Sequence, residues 1–75
     1  MKDCCGNTIE SGDTLYNPHD RDMFHIVISD SKGNLFLGDF DSPLERYAPE
    51  SFWYKVIKDE NGELFAGNKS KPLNY

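Results

Sequence analysis

The chain is predicted to fold as a small all-β antiparallel barrel of four or five strands, built around two similar hairpins. The first observation is a repeat. Residues 23–38 read MFHIVISDSKGNLFLG and residues 52–67 read FWYKVIKDENGELFAG. At an offset of 29 residues Val27-Ile28 falls on Val56-Ile57, Asp30 on Asp59 and Gly33 on Gly62, followed by Leu35-Phe36 on Leu64-Phe65 and Gly38 on Gly67. The second is the shape of each copy: an apolar run, a D-x-x-G turn, a second apolar run and a closing glycine. Asp opens such a turn through its own backbone, and Gly takes the left-handed position that reverses the chain. The third is the make-up of the runs, which are short and rich in β-branched and aromatic residues, as strands are. The repeat has two readings, duplication or convergence on favoured hairpin chemistry.

Strands are expected near residues 13–17, 23–29, 34–39, 52–58 and 63–66, with almost no helix. If each turn ends in a glycine bulge, Ile28 lies opposite Phe36 and Val27 opposite Leu37. The second copy then pairs Ile57 with Phe65 and Val56 with Ala66. Alternation places Phe24, Ile26, Ile28, Phe36, Trp53, Ile57 and Phe65 on one face, which is the expected core. The other face carries His25, Val27, Leu35, Leu37, Phe52, Tyr54 and Val56 among polar neighbours. Either the barrel curls to cover part of it, or its apolar residues form an exposed binding patch.

Seventy-five residues make a single domain, 1–75, which hides roughly 60% of its unfolded surface. Aromatic residues make up 13% of the chain, which suits a compact β core. No run reaches the length of a membrane-spanning helix and the first residues carry no apolar signal-peptide core, so a cytoplasmic protein without a membrane role is expected. Net charge is −5, which disfavours a nucleic-acid backbone binder. Acidic residues gather at Asp39, Asp41, Glu45 and Glu50 against Arg46. Such a cluster is either a solvated loop or a surface that attracts a basic partner or imitates nucleic acid.

The opening residues, MKDCCGNTIESGDTLYNP, hold both cysteines. Adjacent Cys4 and Cys5 are poorly placed to bridge one another, so free thiols are expected. A metal site from Cys4, Cys5, His19 and His25 lacks ligand-pair spacing, and no cofactor is expected. The pattern Asp3-x-x-Gly6-Asn7-x-Ile9-x-x-Gly12-Asp13-x-Leu15 resembles the opening of many small proteins encoded by bacteriophages and prophages. That resemblance covers about the first fifth of the chain and implies an SH3-like barrel, with action on host proteins in some members. It transfers no functional residue.

Next, Asn17 to Asp22 reads as a polar loop between the first two strands, begun by Pro18. His19 beside Asp20 and Asp22 has acid–base potential, but no nucleophile has an evident place. Residues 40–51 link the two copies. Two prolines exclude a long helix there, while one helical turn at Pro49-Glu50-Ser51-Phe52 fits Pro at the first helical position. Leu44 and Tyr47 are expected to pin this linker to the barrel. Residues 68–75 read as a mobile tail or a short edge strand.

Enzyme motifs are absent, so no catalytic activity is expected. The leading expectation is a protein-binding module, phage-derived and acting on a host or phage protein, as a monomer or weak homo-oligomer. Tyr16, Asp39, Asp41, Tyr47, Phe52 and Tyr54 are the candidate partner-binding residues, since aromatics anchor interfaces and acids attract a basic partner. The alternatives are a single-stranded nucleic-acid binder that stacks bases on those rings, and a structural subunit that pairs edge strands.

Overall fold

A computed structural model describes residues 1–73. Five strands, β1 (Thr14–Tyr16), β2 (Phe24–Ser29), β3 (Leu35–Leu37), β4 (Tyr54–Lys58) and β5 (Leu64–Ala66), form one antiparallel sheet in the order β3-β2-β1-β4-β5. All four predicted pairings hold: Ile28 with Phe36, Val27 with Leu37, Ile57 with Phe65 and Val56 with Ala66. Among the described residues helix is confined to a 3₁₀ turn, Leu44–Tyr47, and the short α1 (Pro49–Phe52), which starts on Pro49 as expected. Among the described residues no ladder joins β3 to β5, so the sheet is open at both ends of that order.

The D-x-x-G turns show why the register was readable. Asp30 Oδ1 accepts the N–H groups of Lys32 and Asn34, and Gly33 N–H closes the turn on the Asp30 carbonyl. Asp59 does the same for Asn61, Glu63 and Gly62. A third turn of this kind opens the chain. Asp3 Oδ1 accepts from Cys5 and Asn7, Gly6 N–H reaches the Asp3 carbonyl, and Lys2 bridges Thr8. The three turn glycines have φ of 85°, 85° and 82° (Gly6, Gly33, Gly62), a region that L side chains enter at a cost. The opening D-x-x-G-N motif is thus a third example of the chain's own turn chemistry.

The repeat also runs further than 38 and 67. After each closing glycine an Asx turn forms, with Asp39 Oδ1 accepting Asp41 N–H and Asn68 Oδ1 accepting Ser70 N–H. The chain then lies along the outer edge of the hairpin: Leu37 N–H donates to Ser42 O and Ala66 N–H to Lys71 O, each 2.8 Å. Pro43 bridges Phe36, and Pro72 bridges Phe65. A proline beyond the edge has no N–H to offer another strand, so both edges are blunted. The predicted tail begins with this return over 68–73, and residues 74–75 lie outside the described residues.

The expected core face requires correction. Val27 is fully buried and Leu37 nearly so, whereas Ile26 is 58% exposed and Phe24, Ile28 and Phe36 are only half-buried. The core holds Ile9, Leu15, Val27, Leu37, Leu44 and Trp53, with Leu35 packed against it. In the second copy the expectation is closer, since Trp53 and Phe65 are buried and Ile57 is half-buried. The physical reason is the central strand. Leu15 faces both His25 and Lys55 across the sheet, and Tyr16 faces both Phe24 and Tyr54. A strand has two-fold screw symmetry, so hairpins on its opposite edges are related by a half-turn about its axis and a one-residue step. His25 opposite Leu15 becomes Tyr54 opposite Tyr16. Equivalent residues of the two copies therefore point to opposite faces, although the sequence reading gave them the same one.

Candidate functional site: an aromatic cleft with an acidic rim

The loop Asn17–Asp22, the end of β3 and the linker 42–53 enclose an open cleft of about 700 Å³. Its floor is Trp53, only 4% exposed. Two rings meet the indole edge-on: Tyr47 at 6.4 Å with an interplanar angle of 89°, and His25 at 5.6 Å and 72°. Phe52 also lines the cleft and is 61% exposed, as Phe40 (62%) and Ile26 (58%) are outside it; Phe52 differs in sharing the cleft with Tyr47 and Trp53. Asp20, Asp22 and Asp39 contribute the carboxylates of the lining, and Arg46 its guanidinium.

Local structure explains why these groups meet. Leu44 is fully buried and anchors the 3₁₀ turn, so Tyr47 one turn later projects over the sheet from a fixed base. Ala48 then adopts φ 44° and ψ 61°, a left-handed step that breaks the 3₁₀ turn and starts α1 on buried Pro49. On the other wall Met23 has φ 56°, directly after Asp22. These are the two non-glycine residues at positive φ among the described residues, and both flank the cleft. Such conformations cost on the order of 1 kcal/mol and persist where surrounding structure enforces them.

The predicted residues separate into groups. Asp39, Tyr47 and Phe52 share the cleft. Asp41 is exposed on the neighbouring Asx turn and lies outside the lining. Tyr16 and Tyr54 sit on the opposite sheet face, where Tyr16 packs on Phe24 at 4.9 Å and on Tyr54 at 6.3 Å. Lys71 Nζ donates to the Tyr54 hydroxyl at 3.0 Å and lies 4.5 Å from its ring centroid. The Tyr54 hydroxyl raises the Lys71 pKa and favours its charged form. Sequence reasoning missed His25, Trp53, Asp22 and Asp20 as members of one site. Nothing in their spacing signals it, because four separate segments supply the lining.

His25 Nε2–H donates to Asp20 Oδ2 at 2.7 Å, a pairing that fixes the imidazole against Trp53. Ser42 also lines the cleft, but among the described residues no hydrogen bond connects its hydroxyl to His25. His19 is exposed and caps its own loop through its N–H to Asn17 Oδ1. Among the described residues no three His, Cys, Asp or Glu side chains are grouped so as to hold a metal ion. Cys4 and Cys5 are free thiols, and burial pushes the Cys4 thiol pKa up, away from reactive thiolate. No helix among the described residues is long and apolar enough to cross a membrane. Comparison of the chain with protein-family models, with curated proteins and with solved structures finds no match.

Proposed function

We propose that the chain is a small, non-enzymatic protein-binding module that engages its partner through this cleft. The observation that carries the reading is Phe52, left 61% exposed beside Tyr47 and above buried Trp53. Large rings that bury area at low entropy cost are the usual anchors of protein interfaces. An origin in a phage, and action on a host or phage protein in a bacterial cytoplasm, belong to the same reading and rest on the resemblance of the opening residues. The acidic rim weighs against nucleic acid, because phosphates would be repelled where the rings are. Blunted sheet edges weigh against assembly by strand pairing.

Affinity capture from cells that express the chain tests this. A protein retained by the wild type should fall by about tenfold or more with Tyr47→Ala/Phe52→Ala, the scale of losing an aromatic anchor. Phe52 is 61% exposed, so Phe52→Ala alone should melt like the wild type, and its capture separates lost binding from lost stability. Equal capture by the wild type and the double variant, or tight binding of a mixed single-stranded oligonucleotide at low salt, overturns the reading.

A further inference from the structure

We infer that the cleft receives one cationic side chain, an arginine, presented by a basic segment of the protein partner. This rests on the cleft being the binding surface, and it adds the chemistry of what enters. Three carboxylates line the cleft against one guanidinium, in a chain of net charge −5. Asp20 is committed to His25. Asp39 uses Oδ1 for its turn, and among the described residues no hydrogen bond engages its Oδ2 or the exposed Asp22 carboxylate.

A neutral apolar ligand would cover the rings but leave these carboxylates facing it without compensation. An anion would be repelled outright. A guanidinium satisfies both features, because it lies flat on an aromatic ring and presents a fork of N–H donors that matches a carboxylate. Lysine offers the charge without the plane or the fork. Arg46 is the resident cation on the rim and has no ion-pair partner within 4 Å among the described residues. It therefore opposes an incoming cation.

The test uses the full chain, labelled with ¹⁵N, and two acetylated, amidated five-residue peptides at low salt. One carries a central arginine, the other citrulline, the same shape without the charge. The arginine peptide should shift the amide signals of Asp22, Asp39, Tyr47, Phe52 and Trp53, with the citrulline peptide weaker by about tenfold. Asp22→Asn/Asp39→Asn should weaken the arginine peptide by several-fold. Asn at 39 preserves the turn, as Asn68 does at the equivalent position. Arg46→Gln should tighten it. Equal binding of both peptides, shifts confined to the Tyr16–Tyr54 face, tighter binding on acid removal, or no binding at all overturns the inference. If capture still depends on Tyr47 and Phe52 while the arginine peptide leaves the cleft silent, the module reading stands and the cationic ligand falls.

Discussion

Asp3→Ala is expected to be among the most damaging single changes outside the apolar core. Asp3 is 3% exposed, the buried charged residue among those described. Its carboxylate accepts four N–H groups: Cys5 and Asn7 backbone on Oδ1, and the Asn7 side chain and Lys55 backbone on Oδ2, at 2.7–3.0 Å. Three of these are local to the turn. The fourth crosses to β4, and Asn7 Nδ2 in addition donates to Gly67 O, so the turn is tied to the second hairpin. Burial alone would raise the Asp3 pKa. Hydrogen bonds from the Asn7 side chain and from the Lys55, Asn7 and Cys5 amides outweigh it, and the carboxyl is held below its ordinary 3.8. Hydrogen bonds to an ionised group are worth roughly 1.5–3 kcal/mol, and the truncation strands several donors at once. A loss of about 3 kcal/mol follows, which in a domain of this size is a fall in Tm of roughly 12–24 °C.

Asp30 is the internal control. It makes the same three local bonds, to Lys32, Asn34 and the Asn34 side chain, but on the surface and without the cross-sheet bond. Asp30→Ala should therefore cost clearly less in urea or thermal unfolding. The sign with pH follows from the lowered pKa. The part of the Asp3 contribution that depends on its charge is complete above 3.8 and is lost as pH falls through the lower folded value, so the gap between wild type and Asp3→Ala should narrow in acid. Equal costs for Asp3→Ala and Asp30→Ala, or a gap between wild type and Asp3→Ala that does not narrow in acid, would refute the reasoning.

Two further expectations concern packing. A Cβ at Gly67 would stand 2.6 Å from Cys5 Sγ and 3.2 Å from Tyr54, at φ 79°, whereas one at Gly33 would meet nothing within 4 Å. Gly33→Ala should cost about 1 kcal/mol for its positive φ alone, and Gly67→Ala at least about 1 kcal/mol more. Cys5→Gly should recover part of that difference in a double-mutant cycle by urea unfolding; strict additivity would mean that the contact is unimportant. Val27→Ala and Ile26→Ala test the faces directly: the first should destabilise by about 2 kcal/mol, the second by about 0.5 kcal/mol or less. The reverse order would restore the face assignment read from the sequence.

Strand positions, both hairpin registers and the helical turn at Pro49 were legible because they depend on local chemistry. Asp30 and Asp59 bond backbone two and four residues ahead, Gly33 and Gly62 take the left-handed position, and the register follows from the turn without knowledge of the remainder. The opening turn obeys the same rule, and the sequence displays its D-x-x-G-N as plainly as the other two. Its burial is another matter. Asp3 and Asp30 are alike in sequence context, and only the approach of Lys55 from 52 residues away makes one of them a structural centre. The buried face of the first hairpin was equally beyond local reasoning. Ile26 and Val27 are neighbours of similar hydrophobicity, and alternation says only that they point apart. Which of them meets Leu15 was decided when β2 and β4 took opposite edges of β1, whose screw axis turns equivalent positions to opposite sides. The cleft belongs to the same category. Asp22, His25 and the Tyr47/Trp53 pair come from three separate segments, and their meeting is fixed by buried Leu44 and by the left-handed steps at Met23 and Ala48. Side-chain chemistry along a strand determines what a residue can do, but the packing of the sheet on its core determines what it faces.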